Sequence, residues 1–149
     1  MSEKRSHIVR PDDHEWTEKF IPAATADRRG LYKKLSSHHG LSQLEARLTR
    51  IPPGESNTWF HTHSHCEEWF YVTAGCCHAH INGAWQEIQT GDSIATWPGE
   101  WHTFRNFGDI DCDILMVGVE NPNDRATRKA EPNAPAEVGP QPDPEQPKG

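Results

Sequence analysis

The chain has 149 residues, a length that suits one domain. Hydrophobic residues make up only 34% of it, yet it holds six Trp, five Phe and 12 Pro, so a small aromatic core is expected to share the chain with polar, unstructured sequence. The net charge of -7 comes without a dense Lys/Arg run, which argues against DNA or RNA as a partner.

The apolar stretches are too short for a membrane span. The longest one, residues 114–119, falls far below the ~20 residues that cross a bilayer, and the charged N-terminus has no apolar run behind it. We therefore expect neither a membrane span nor a secretory signal. The four cysteines show no C-x-x-C spacing and are expected to be reduced thiols in a cytoplasmic protein: Cys66, Cys76, Cys77 and Cys112.

The first forty residues lack sustained hydrophobic periodicity. Residues 1–40 are therefore predicted to form an arm laid over the domain, with Trp16 and Phe20 as its anchors.

Residues 41–120 show an all-β rhythm, with short alternating runs separated by turn residues. Asn82-Gly83 is a strong hairpin signal, because a type I′ turn needs positive φ at both central residues. About eight strands without a convincing helix predict a small barrel or jelly roll. The runs cover residues 44–49, 59–63, 68–74, 77–81, 84–89, 93–97, 102–106 and 110–119.

The last segment, residues 121–149, contains seven prolines and almost no large apolar side chain. Such a composition cannot bury enough surface to offset the entropy of ordering. It is predicted to be a disordered tail with polyproline character.

Four residues in the predicted barrel have metal-ligand chemistry. His61 and His63 lie two apart in a strand, so both imidazoles point to one face. Glu68 follows a short turn, and His102 opens a later strand. Three imidazoles and one carboxylate suit a divalent first-row metal such as Fe, Mn, Ni, Cu or Zn, and six-coordinate geometry would leave two positions open.

Neighbouring residues offer alternatives to this set. Glu67 competes with Glu68, but the alternation places Glu68 with Phe70 and Val72 on the inner face. His65 has inward parity but falls at a turn, where a rim position is expected. Cys66 is either an extra soft ligand or, as we prefer, a packing residue.

The two segments that carry these residues resemble the conserved motifs of the cupin superfamily. Gly54, His61, His63, Glu68 and Gly75 match the first motif. The second motif is matched by Gly91, Gly99, His102 and Asn106. The resemblance implies a small single-domain cupin with a double-stranded β-helix, in which His61, His63, Glu68 and His102 bind the metal.

The chain departs from the family pattern in two turns. Six residues rather than five separate Gly54 from His61, and Trp97 stands where the second motif has proline. Both changes leave the ligand spacings intact.

The remaining aromatic and histidine residues are assigned by strand parity. Phe70, Phe104 and Trp59 are expected to wall an apolar cavity above the metal. His78 and His80 should point outward as a solvated pair. In the last strand, the inner face is predicted to contain Ile110, Cys112, Ile114 and Met116.

The outer face of the last strand becomes apolar at Leu115, Val117 and Val119 and needs a cover. A second subunit or the N-terminal arm could supply it, and a homodimer is expected.

The predicted function is that of a metal-dependent enzyme acting on a small organic substrate, with a dioxygenase as the preferred reaction type. No catalytic residue beyond the metal ligands is identifiable. Because the fold does not fix the chemistry, two alternatives remain. One is a lyase, isomerase or epimerase on the same scaffold. The other is a non-catalytic protein that binds a small molecule.

Overall fold

The computed structural model describes residues 5–22 and 27–135. This part of the chain holds a 3-10 turn at Pro11–Asp13, one short helix, α1 (Leu35–His39), and eleven strands. The strands are β1 (Thr17–Ile21), β2 (Arg28–Lys34), β3 (Leu44–Ile51), β4 (Phe60–His63), β5 (Glu68–Ala74), β6 (Cys76–Ile81), β7 (Ala84–Gln89), β8 (Ser93–Thr96), β9 (His102–Arg105), β10 (Cys112–Val119) and β11 (Ala126–Lys129).

The strands form two antiparallel sheets. The larger sheet has the order β1-β2-β3-β10-β5-β8, and the smaller has the order β11-β4-β9-β6-β7. Their inner faces enclose one apolar core with ten buried members, which include Ile51, Val72 and Phe104. The predicted all-β, jelly-roll class is confirmed.

Turn chemistry sets the strand ends as the sequence indicates. Asn82 and Gly83 have φ of 50° and 87°, as the β6–β7 hairpin requires. Gly75 has φ of 77°, and a Cβ at this position would collide with the backbone oxygen of Asp111. Only glycine fits between β5 and β6.

The N-terminal segment joins the larger sheet. Its strands β1 and β2 pair with each other, and β2 pairs with β3, so the arm extends the sheet at its edge. Trp16 lies over the guanidinium of Arg50 and the ammonium of Lys33, as an anchor would. Phe20 is 54% exposed, so the prediction that it anchors the arm is wrong; Ile21, which follows it, is buried.

Residues 121–135 are ordered and belong to the fold. Strand β11 pairs with β4 across the register from Ala126 opposite His63 to Lys129 opposite Phe60. Over these residues the prediction of a disordered tail is wrong, because backbone pairing and side-chain contacts stabilise a segment that has no hydrophobic core of its own. Residues 136–149 of the predicted tail lie outside the described residues.

Two parity assignments also fail. Ile110 is 59% exposed, because β10 begins two residues later at Cys112. His80 faces away from the core but is buried rather than solvated: its ring packs edge-on against Phe60 and Trp85. His78 is half-buried against Phe107.

Candidate metal centre

The four residues singled out by spacing converge at one point between the two sheets. His61 and His63 lie on β4, and His102 lies on β9, where it is the cross-strand partner of His61. Glu68 begins β5 in the other sheet. One ligand atom from each residue can be chosen so that all four lie within 4.8 Å of one another.

The individual distances match a coordination sphere. The Nε2 atoms of His61 and His63 are 3.1 Å apart. The Glu68 Oε1 atom lies 3.1 Å from His63 Nε2, 3.0 Å from His102 Nε2 and 3.9 Å from His61 Nε2. Metal–ligand bonds of about 2.1 Å place neighbouring donor atoms about 3.0–3.5 Å apart. The cluster is therefore able to hold a divalent metal.

Hydrogen bonds on the far side of each ring fix which nitrogen faces the centre. Carbonyl oxygens only accept, so the Nδ1 atoms of His61 and His102 must donate, to the backbone oxygens of Trp59 at 2.7 Å and Glu100 at 3.0 Å. The Nε2 atom of each ring then faces the centre. Such outer hydrogen bonds are the usual means of orienting metal-binding histidines.

His63 is oriented by a residue that the sequence did not single out. Its Nδ1 lies 2.7 Å from Oδ2 of Asp124, and Oδ1 of the same carboxylate accepts the backbone N–H groups of His65 and Cys66 at 2.8 and 3.2 Å. Asp124 lies in the segment predicted to be disordered, where no spacing signal connects it to the histidines.

Burial and hydrogen bonding shift the pKa values within the cluster. Burial, reinforced by His102, lowers the pKa of His61 to about 4, so this ring is neutral at pH 7. The hydrogen bond to Glu68, supported by Asp124, raises the pKa of His63 to about 9 although burial opposes it. Burial also opposes ionisation of Glu68, but hydrogen bonds to His102 and His63 hold its pKa well below the ordinary value. The site thus keeps an ionised carboxylate.

A cavity of about 220 Å³ opens beside the cluster. Phe70 and Trp59 line it as predicted. Phe104 lies one layer deeper, fully buried, with its ring centroid 4.7 Å from that of Phe70. The cavity also contains cationic side chains that the sequence did not place there: Lys19, Arg47 and Arg128.

The alternative ligands remain outside the cluster. Glu67 is exposed, in agreement with the parity argument, and the exposed His65 bonds to Ser64 through Nδ1 at 2.7 Å. Cys66 packs at the turn with its Sγ 3.5 Å from the carbonyl oxygen of Val119.

Asn106, the last residue of the second motif, has a structural role. It is fully buried, and its amide donates to the backbone oxygens of Ile51 at 2.8 Å and Ile110 at 2.6 Å.

The comparison with protein families agrees with this fold and site. Residues 47–118 match the family described as "Cupin domain". This part of the chain is therefore similar to a small domain of the cupin superfamily.

Individual relatives share that domain. An oxalate-binding protein of Thermotoga maritima is 35% identical over 79 residues, a match that spans 53% of this chain and 64% of that protein, less than two thirds of its length.

Two solved structures align over most of the chain. A polyketide cyclase from Streptomyces resistomycificus has a TM-score of 0.68 at 24% identity, with 85% of this chain and 88% of that chain covered. A predicted oxalate decarboxylase from Thermotoga maritima has a TM-score of 0.61 at 26% identity, with 75% and 97% covered. Among the described residues, no helix has the length and hydrophobicity to cross a membrane.

Proposed function

We propose that the protein is a metal-dependent enzyme that acts on a small organic substrate, with His61, His63, Glu68 and His102 as the metal ligands. The observation that carries this proposal is the convergence of four donor atoms within 4.8 Å at the wall of a cavity. Sites of this kind, concave and with a few converging polar groups, are the usual place for small-molecule chemistry.

The donor set fits a divalent first-row metal: Fe, Mn, Ni, Cu or Zn. Such an ion would polarise a substrate oxygen, and a redox-active one would also support dioxygen chemistry. The protein's own contribution is to point three Nε2 atoms and one carboxylate at the centre through the outer hydrogen bonds of the rings.

A dioxygenase is one candidate reaction type. Four protein ligands leave two sites free in six-coordinate geometry, and the cavity adjoins His61, His63 and Glu68. The apolar side chains of Phe70, Ile114 and Met116 line part of the same cavity.

A lyase, isomerase or epimerase is the second candidate, and a specific observation favours it. The amine of Lys19 lines the cavity, and burial, followed by Arg47 and Arg128, lowers its pKa to about 8. A group with a pKa near the working pH can both give and take a proton, as these reactions require.

Binding without catalysis is the third reading. One relative is named an oxalate-binding protein, and one similar structure a predicted oxalate decarboxylase. Oxalate is therefore the first compound to offer to this protein, both as a ligand and as a substrate.

Metal analysis of protein purified without chelator tests the proposal. We expect stoichiometric metal in the wild type and its loss in the His61→Ala and His102→Ala variants. The His78→Ala variant is the matched control, because this histidine lies outside the cluster against Phe107. Unchanged metal content in either ligand variant would remove that residue from the site.

Turnover assays then separate the reaction types. Oxygen uptake that depends on substrate and on His61 would identify a dioxygenase. Substrate conversion without oxygen uptake would identify the second candidate, and saturable binding without turnover the third.

We also propose that a second copy of the chain covers the outer face of β10 and β5. This face carries Leu115 and Val117 beside Trp69 and Tyr71, which are 41% and 37% exposed and stack at 5.9 Å. Trp16 of the arm lies over Lys33 and Arg50 instead.

Light scattering tests this dimer. A dimer is expected for the wild type and for Leu41→Lys, whose exposed side chain lies elsewhere, and a monomer for Trp69→Lys. A wild-type monomer would contradict the proposal.

A further inference from the structure

Cationic side chains from three distant parts of the chain meet in the cavity beside the metal cluster. Lys19 comes from β1, Arg47 from β3 and Arg128 from β11. Two carboxylates, those of Glu45 and Glu68, line the same cavity. The number of cations therefore exceeds the number of acidic groups near them.

The carboxylates of the cavity are already engaged. The Glu45 carboxylate pairs with the guanidinium of Arg47. The Glu68 carboxylate bonds to His63 at 3.1 Å and to His102 at 3.0 Å. Each acid therefore already has a closer partner than Lys19, which it attracts only over a longer distance.

Lys19 and Arg128 have no carboxylate within ion-pair distance among residues 5–22 and 27–135. The Lys19 ammonium donates to the hydroxyl oxygen of Thr58 at 2.9 Å. The Arg128 guanidinium lies over the ring of Trp59, 4.4 Å from its centroid. Both groups are held in place by neutral partners, and Arg128 is exposed to solvent, so neither has an ion-pair partner of its own in the described part of the chain.

Placing these cations together is unfavourable for the half-buried Lys19. Burial of its ammonium and repulsion from Arg47 and Arg128 outweigh the attraction of Glu68 and Glu45 and lower the pKa of Lys19. A cluster of like charges that opposes its own ionisation is typical of a site that binds an oppositely charged ligand.

We propose that the cavity binds a small organic anion, whose carboxylate or phosphate group is held between the Lys19 ammonium and the Arg128 guanidinium. This inference rests on the proposed function and names its substrate class. Arg128 is the cross-strand partner of His61, so the anionic group would lie next to the metal cluster.

The size of the cavity limits the ligand further. Its volume of about 220 Å³ is below the range usual for drug-sized ligands. The contact with the Trp59 ring positions the Arg128 guanidinium, and the planar fork of this group favours paired hydrogen bonds to a carboxylate or phosphate.

Calorimetric titration of the protein as purified tests this subsite. Succinate and inorganic phosphate are the probes, and neutral succinamide is the control ligand. The variants are Lys19→Met and Arg128→Gln, with Lys129→Gln as the matched control. Lys129 carries the same charge on the same strand, but its ammonium lies 3.8 Å from the ring centroid of Trp101, outside the cavity lining.

Each cavity variant is expected to weaken binding of the preferred anion by at least about ten-fold, since each loses a charged hydrogen bond. Lys129→Gln should change it by less than about twofold, and metal content should be equal in all four proteins. The preferred probe distinguishes a carboxylate from a phosphate ligand. Thermal melts establish that each variant is folded.

Three results would overturn the inference: wild-type protein that binds neither anion, equal losses in Lys129→Gln and Arg128→Gln, or succinamide binding as tight as that of succinate. Failure of the proposed function has a different signature. Wild-type protein that contains no metal but still binds the anion through Lys19 and Arg128 would keep the subsite and remove the metal-dependent activity.

Discussion

The hydrogen bond between Asp124 and His63 allows a sharp test of how the metal centre is assembled. In Asp124→Asn, the side-chain oxygen should stay where Asp124 Oδ1 is, because two backbone N–H groups donate to that position. The new NH₂ group then faces His63 Nδ1, which lies 2.7 Å from Oδ2 in the native chain. An NH₂ group can only donate, so His63 must offer Nδ1 as an acceptor.

This change removes the acceptor that lets His63 keep a proton on Nδ1 when its Nε2 is free to bind a metal. A neutral His63 with an unprotonated Nδ1 carries its proton on Nε2, the atom that lies 3.1 Å from Glu68 Oε1 at the centre. The metal would have to displace that proton and also lose the orienting bond. Replacement of such outer partners costs about 10–100-fold in metal affinity, or about 1.4–2.7 kcal/mol, and we expect the upper end.

A competition titration of Zn²⁺ or Mn²⁺ against a fluorescent chelator measures this loss. Asp113→Asn is the matched control, because it removes the same charge from a residue that pairs with Arg50 at 2.8 Å, away from the cluster. Circular dichroism melts show whether both variants fold. Folded Asp124→Asn with a dissociation constant within about threefold of the wild type would refute the reasoning.

Three further predictions concern stability and metal binding. Burial and the neighbouring Arg47 and Arg128 lower the pKa of Lys19 from 10.5 to about 8. The unfolded chain therefore binds this proton more tightly than the folded one, and the free energy of unfolding rises with pH between about 8 and 10.5. Lys19→Met should therefore raise the free energy of unfolding at pH 7 by about 1–3 kcal/mol, and this gain should shrink above pH 8. Urea unfolding at pH 7 and at pH 10 measures the difference. A destabilised Lys19→Met variant would contradict the prediction. Removal of residues 121–149 should abolish metal binding, because it deletes β11 and Asp124. Removal of residues 136–149 alone should preserve metal binding. Equal metal content in the two truncated proteins would argue against a role for β11. A metal concentration of 100 times the dissociation constant should stabilise the wild type by about 2.7 kcal/mol and leave the stability of His61→Ala unchanged. Thermal melts with and without EDTA measure this difference.

The sequence alone determined the eight strands from β3 to β10 and the local geometry of the ligands. Alternation of period two places His61 and His63 on one face, and it separates Glu68 from Glu67. Asn82-Gly83 fixes a hairpin for a similar reason, since the conformation that the turn requires is a property of those two residues. Information of this kind lies within a few neighbouring positions, and the structure follows it closely.

Only the tertiary structure decided what surrounds the ligands. Lys19, Asp124 and Arg128 come from segments that are short in apolar residues, and composition assigned those segments to an arm and a tail. They are ordered because their backbones pair with strands already stabilised by the core. His80 is likewise buried by aromatic neighbours rather than by its own strand pattern. Pairing between distant segments depends on complementary surfaces that exist only after the barrel has formed, so no local pattern in the sequence records it.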